Sequence, residues 1–310
     1  MKKSFIKSSS RIIYLSVGAM ILGVLFIDIY GIIIKFLGDA YSTNQVVLFR
    51  NLFAIIPLLL LIFYTNENLK IFRKITKKFI ILCFIRGQCF LFMNVFYFIA
   101  INNMDFATAS TLTFSATFFI VILSILFLND KVGIYRWSAV FIGFIGVALI
   151  MKPTSEVFSY YSIYPVMVGL LYSIAIIILK FIPEHNSTAK IQFYSLISSI
   201  IGAVVLLAIT LDTKFIQSYH DLLMLVSIGV LGGSAGILFI YAYRLMEASK
   251  LAVFEYLAIP SSFFLGWLFF DETPIDQLFP GVFGIILAGM IIIWRDKKNK
   301  KTLKVSKKVY

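Results

Sequence analysis

Ten apolar stretches divide the chain, at about residues 12–34, 45–64, 79–101, 106–128, 134–151, 160–181, 190–211, 223–243, 250–270 and 277–294. Each is close to the roughly 20 residues a helix needs to cross the hydrocarbon of a bilayer. The polar gaps are short, the longest running from Thr65 to Lys78, so no soluble domain of useful size fits between them. The pattern predicts an all-α polytopic membrane protein with ten transmembrane helices. The first stretch follows basic residues, as a signal peptide would, but it runs for about 23 residues without a small-residue cleavage site, which predicts a retained helix.

The basic residues fall almost wholly into every second gap. One set holds Lys2, Lys3, Lys7 and Arg11, then Lys70, Arg73, Lys74, Lys77 and Lys78, then Lys131, Arg136, Lys180, Lys190, Arg244 and Lys250, and eight more after Trp294. The other set holds only Lys35, Lys152 and Lys214, while Arg50 and Arg86 lie inside spans. This 23-to-3 division predicts both termini in the cytoplasm.

Composition sharpens the class: 60% hydrophobic residues, 14% charged and a mean hydropathy of +0.95. The formal charge of +13 does not predict a nucleic-acid partner, because it sits at membrane edges and in the tail, where it suits anionic lipid headgroups. The tail at 297–308, KKNKKTLKVSKK, is too polar to bury a core. Cys83 and Cys89 lie six residues apart, on different helix faces, which argues against a disulfide or a metal pair. No metal site, cofactor motif or GxxxxGK[ST] nucleotide loop is in view, so direct ATP coupling is not expected.

Five spans per half would place any duplicated copy upside down in the membrane, since an odd number of crossings inverts it. A shift of 145 sets Ala107 on Ala252, Leu112 on Leu257, and Phe118 and Phe119 on Phe263 and Phe264. A shift of 142 sets Leu126, Phe127, Leu128, Asn129 and Asp130 on Leu268, Phe269, Phe270, Asp271 and Glu272, and one of 143 sets Gly146 on Gly289.

The segment from Arg86 to Pro153, with NNMDFATAS, LFLNDKV and RWSAVFIGFIGVALIMKP, resembles the first repeat of the drug/metabolite transporter superfamily, EamA type. Residues 241–274, YAYRLMEASKLAVFEYLAIPSSFFLGWLFFDETP, are similar to its second repeat and carry the more specific resemblance. The resemblance spans roughly residues 12–294 and implies ten helices as two inverted five-helix repeats, residues 12–151 and 160–294, around a central solute pathway. A cytoplasmic segment, 1–11, and a basic tail, 295–310, flank them. The implied location is a bacterial inner membrane, and the implied partner is a small-molecule solute: an amino acid, a vitamin, a nucleotide-like metabolite or an amine. Within the superfamily, FIRGQ to MKP looks most like members associated with small-metabolite uptake, among them S-adenosylmethionine and riboflavin carriers.

Ionisable side chains inside spans are costly unless paired or wet, which singles out Asp28, Arg50, Arg86 and Glu255. Asp28 and Arg50 both fall about 8–9 Å below one membrane boundary, and Arg86 and Glu255 share a level nearer the other, so depth predicts two ion pairs. Each placement also fits a purely structural salt bridge or a snorkelled side chain. Pro260 removes a hydrogen bond to the Tyr256 carbonyl, so Glu255, Tyr256, Pro260 and Ser261 suggest a pathway-lining helix in which Ser261 and Ser262 either meet solute or re-satisfy the kink. In span four, Thr108, Thr111 and Ser115 share one face and Ser110, Thr113 and Thr117 a neighbouring one. These hydroxyls suit solute contact or close packing equally. Gln88 and Asn94 add amides, and Tyr241 and Tyr243 add phenols that suit either solute or the interface.

Gly229, Gly232, Gly233 and Gly236 give span eight two small-residue faces. Ala139 and Gly143 in span five, and Gly284 and Ala288 in span ten, do the same for internal packing or a homodimer contact. A membrane enzyme would need a catalytic constellation, yet the only histidines, His185 and His220, lie in opposite loops. A channel would show a charge ring or a filter loop. The reading is a secondary carrier with alternating access; proton coupling would fall to Glu255 or Asp28.

Overall fold

The computed structural model describes residues 2–65, 70–73, 75–113, 115–129, 133–151 and 160–272, together with 283, 284, 286–288, 290, 291 and 294. The described residues are mostly helical, with no strand among them. The helices are α1 (Lys2–Leu37), α2 (Thr43–Phe53), α3 (Ile55–Tyr64), α4 (Lys77–Asn103), α5 (Phe106–Thr113), α6 (Ser115–Leu128), α7 (Ile134–Met151), α8 (Ile163–Phe181), α9 (Thr188–Thr210), α10 (Tyr219–Leu245), α11 (Ala248–Leu251) and α12 (Ala258–Phe270). A 3-10 stretch, Ala252–Leu257, joins the last two.

Among the described residues, eight segments are long and apolar enough to cross a membrane, and they coincide with expected spans one to four and six to nine. The fifth expected span is α7, whose apolar part, Trp137–Gly146, is shorter. The tenth, 277–294, falls largely outside the described residues, as do the boundary at 152–159 and the tail.

The starts of these helices are written in the sequence. Ser42, Thr76, Ser187 and Ser218 each accept a hydrogen bond from the backbone N–H three residues on, satisfying a donor that helix geometry leaves free. Two ends correspond as well. Asn129, after α6, and Asp271, after α12, adopt left-handed backbone at φ 53° and 50°, and these are the residues that the shift of 142 superposes. Asn and Asp tolerate that conformation better than most side chains.

Packing repeats the correspondence. α1 lies on α10 as α4 lies on α8, α2 on α10 as α9 on α4, and α1 on α12 as α8 on α6. Exchanging the first five spans for the second five maps each pair onto the other. Close approach depends on missing side chains: a Cβ at Gly229 would stand 2.3 Å from the Phe53 Cβ, and one at Gly233 2.8 Å from the Ala54 Cα. Ala54 is where α2 gives way to α3, three residues before Pro57, whose ring interrupts the helical ladder. The small faces of spans five and ten are used inside the chain, since a Cβ at Gly143 would meet the Tyr256 ring and one at Gly284 the Gly146 backbone.

The exterior is apolar, with Leu60, Phe63, Phe144, Ile201 and Val205 exposed, while Asp28, Arg50, Asn51, Arg86, Asn94 and Glu255 are buried. This distribution suits hydrocarbon surroundings.

Loops that the charge tally puts on one side do gather at one end. There Lys190 Nζ donates to the Arg73 carbonyl at 2.7 Å, Lys180 donates to the Tyr243 and Met246 carbonyls at the end of α10, and Arg244 reaches the Glu184 carbonyl. Cations on helix-terminal carbonyls meet the negative end of the helix dipole. At the opposite end Lys35 pairs with Glu272, whose other oxygen accepts from the Phe106 N–H at 2.6 Å. Beside them Tyr41 donates to Asp221 at 2.7 Å and accepts from the Gln217 N–H. Burial pushes the Tyr41 hydroxyl above its ordinary pKa; the Gln217 bond opposes the shift and Asp221 adds to it.

Candidate functional site

A cavity lies among the spans, with about 790 Å³ of empty space including its open part. Its polar wall carries Asp28 and Tyr30 from α1, Arg50 from α2, Tyr172 from α8 and Glu255 from the 3-10 stretch. Ser110 and Thr113 from α5 complete it. Its apolar wall is a stripe of α4, Phe90, Met93 and Tyr97, with Phe239 across from it. Residues three and four apart share a helix face, which puts the α4 stripe on one side.

Each ionisable group is held by neutral neighbours. Asp28 Oδ2 accepts from the Ser261 hydroxyl. Glu255 Oε1 accepts from Tyr172 at 2.8 Å and from Tyr243 at 2.5 Å. Arg50 Nη1 donates to Asn51 Oδ1 at 2.9 Å, and its Nε has no hydrogen-bond partner among the described residues. The guanidinium lies against Gly232, where a Cβ would stand 2.8 Å from Nε. Gly236 makes similar room for the Gln192 amide.

The two ion pairs expected from depth are therefore not formed. Depth fixes the level of a side chain but leaves its bearing around the helix open, and these residues bear toward different neighbours. Asp28 turns to α12 and Arg50 to α10, though both reach the same cavity. Arg86 lies over the Phe90 ring, with its Cζ 4.6 Å from the ring centroid and its Nε and Nη2 without hydrogen-bond partners among the described residues.

Other expected residues have positions away from the cavity wall. Gln88 donates to the Ser198 carbonyl at 2.7 Å and binds α4 to α9. Asn94 is buried and donates to the Phe90 carbonyl in its own helix. In span four the cavity face is Ser110 and Thr113; Thr111 is buried elsewhere, and Ser115 packs on α8, where a Cβ at Gly169 would touch its hydroxyl. Tyr241 is 40% exposed on the outside of α10, whereas Tyr243, two residues and about 200° further round, is fully buried against Glu255. Tyr256 packs its ring on Gly143. Pro260 is the third residue of α12, where a backbone N–H has no helical partner, so it follows the 3-10 stretch without breaking a regular helix. Ser261 reaches the cavity indirectly, through Asp28.

Sequence reasoning passed over Tyr30, Phe90, Tyr97, Tyr172 and Phe239, because an aromatic ring in a span reads equally as core or lipid contact. The spacing of Phe90, Met93 and Tyr97 was the available signal.

Residues 14–152 match the EamA-like transporter family. The chain is 28% identical over 264 residues to an S-adenosylmethionine uptake transporter of Rickettsia felis, covering 85% of this chain and 87% of that one. It is 29% identical over 191 residues to a riboflavin transporter of Vibrio cholerae, covering 61% and 63%, and 29% identical over 219 residues to a pseudopaline exporter of Pseudomonas aeruginosa, covering 69% and 75%. A solved crystal structure with 14% identity superposes with a TM-score of 0.71 over 91% of this chain and 97% of that chain, which shows a shared fold.

Proposed function

We propose, from the match of residues 14–152 to the EamA-like transporter family and from the similarity to named transporters, that the chain is a member of the drug/metabolite transporter superfamily and that its central cavity is the solute site of an alternating-access cycle. The protein is a multi-pass membrane transporter of a small organic solute, and not an enzyme. The observation that carries the cavity's role is three ionisable side chains, Asp28, Arg50 and Glu255, lining it at membrane depth without an ion pair among them. Such groups cost roughly 2.5–3.5 kcal/mol each at the centre of a span, so they persist where they meet water or solute.

Two inverted five-helix repeats, 12–151 and 160–294, rock against one another about this cavity. The matched helix pairs and the matched left-handed ends at Asn129 and Asp271 support that division. Both termini face the cytoplasm of a bacterial inner membrane, on the strength of the basic loops, which also hold anionic lipid.

Counterflow in liposomes tests the reading. Purified protein preloaded with S-adenosylmethionine, riboflavin or pseudopaline should exchange at least one with labelled solute, saturably and without ion conductance. Conductance without saturation would make it a channel instead.

A further inference from the structure

We infer that Lys35 and Lys180 are counterpart positioning residues of the transport cycle, latches that hold opposite ends of the pathway shut, with Glu272 tying Lys35 to the other half. The inference rests on the alternating-access reading and adds the residues that close each end.

The two lysines hold matching places. The shift of 145 sets Lys35, near the end of α1, on Lys180, near the end of α8, and the shift of 142 sets Met104 on Met246. Lys35 Nζ donates to the Met104 carbonyl at 3.3 Å, and Lys180 Nζ donates to the Met246 carbonyl. Met104 closes α4 at φ −139° and ψ 163°, and Met246 closes α10 at φ −129° and ψ 160°. One cation thus sits on the same extended helix end in each half, where the last carbonyls attract it.

Lys35 also reaches across the halves. It pairs with Glu272, just past α12, and stands 5.1 Å from the centroid of the Phe270 ring, while the other Glu272 oxygen accepts from the Phe106 N–H at 2.6 Å. The same two helices, α1 and α12, meet again where Ser261 donates to Asp28, about 10 Å back along α1. Ser110, on the cavity wall, is one turn into α5 from Phe106. Phe106 is fully buried, and a Cβ at Gly31 would stand 2.7 Å from its ring and 2.8 Å from the Tyr97 hydroxyl. The ion pair therefore stands one to two helical turns beyond the cavity, with a packed ring between them. Solute passing that end must part α1 from α12, which breaks the pair. At the other end, Lys180 holds α8 to the end of α10 through the Tyr243 carbonyl, and the Tyr243 hydroxyl donates to Glu255 on the cavity wall. Each lysine is thereby joined through a short stretch of helix or one tyrosine to a carboxylate that lines the cavity.

Labelling of a cysteine on the cavity wall, Thr113→Cys, by an impermeant thiol reagent applied to either face of vesicles holding the full-length protein reads which end is open. Removing a latch shifts the population toward the state it opposes. Lys35→Met should raise labelling from the face that carries Asp39 by roughly threefold or more and lower it from the face that carries Glu184. Lys180→Met should do the opposite. Glu272→Gln should copy Lys35→Met, and it serves if the lysine variant does not fold. Lys35→Arg, which keeps the cation, should keep the wild-type pattern. A purely structural lysine would lower the melting temperature without changing the preferred face. The inference is overturned if both lysine variants shift labelling the same way, if neither shifts it, or if the reporter stays silent from both faces. Mirrored shifts without counterflow would leave the latches standing and sink the carrier reading, whereas saturable counterflow with unmirrored labelling would do the reverse.

Discussion

A single methyl group distinguishes two roles that neighbouring glycines play in α10. At Gly232 it would meet the end of a flexible side chain, Arg50, whereas at Gly233 it would meet the backbone of Ala54. Gly232→Ala is therefore expected to displace the guanidinium and raise the KM for counterflow severalfold with little change in melting temperature. Gly233→Ala should cost roughly 1–3 kcal/mol through overpacking, seen as a lower melting temperature. Glu255 offers a second test at this scale. Its glutamine variant retains an acceptor for Tyr172 and Tyr243 but cannot release a proton, so it should flatten the dependence of transport on pH between about 5 and 8. An unchanged profile would move the coupling role to Asp28. Single residues were also where sequence reading reached its limit. Asp28, Arg50 and Glu255 stood out because charge in a span is rare, but their partners depended on helix rotation. Choosing Tyr243 over Tyr241, or Ser110 over Thr111, depended on the same unknown angle.

Helices themselves were far more legible. Among the described residues eight of the apolar runs are long enough to cross, and the Ser and Thr residues before α2, α4, α9 and α10 cap their first turns, so boundaries fall within a few residues of where the polarity changes. What the runs do not disclose is the tie between helix ends. Glu272 bridges Lys35 on α1 and the Phe106 N–H at the start of α5. Glu272→Gln should lose roughly 1.5–3 kcal/mol of charged hydrogen bonding there, visible as faster amide exchange over Phe106–Ser110. Tyr41 makes a similar tie to the start of α10. Its pKa lies above the ordinary value of 10.0, so the unfolded chain loses that proton first as pH rises. The bond's contribution to stability is complete below about pH 10 and falls as pH climbs through the raised value. Tyr41→Phe should reduce that alkaline loss in a melting-temperature series.

For the whole molecule, the alternation of basic and nearly uncharged gaps already sorted the loops into two groups, and the fold brings each group together. A cysteine at Lys77 should react with impermeant thiol reagent only from the cytoplasmic side, and one at Asp39 only from the opposite side. The reversed result would turn the bundle over and remove the basis for its orientation. The proposed inverted relation of the halves was only faintly legible, since its residue matches needed three different offsets. The pattern of touching helices supports the proposal, because packing partners are retained after side chains have diverged. Cys83 and Cys89 are both buried in α4, which bears directly on that labelling. The natural chain should be nearly silent toward impermeant maleimides, so an introduced thiol would report its own location against a dark background, with no need to strip the native sulfurs first.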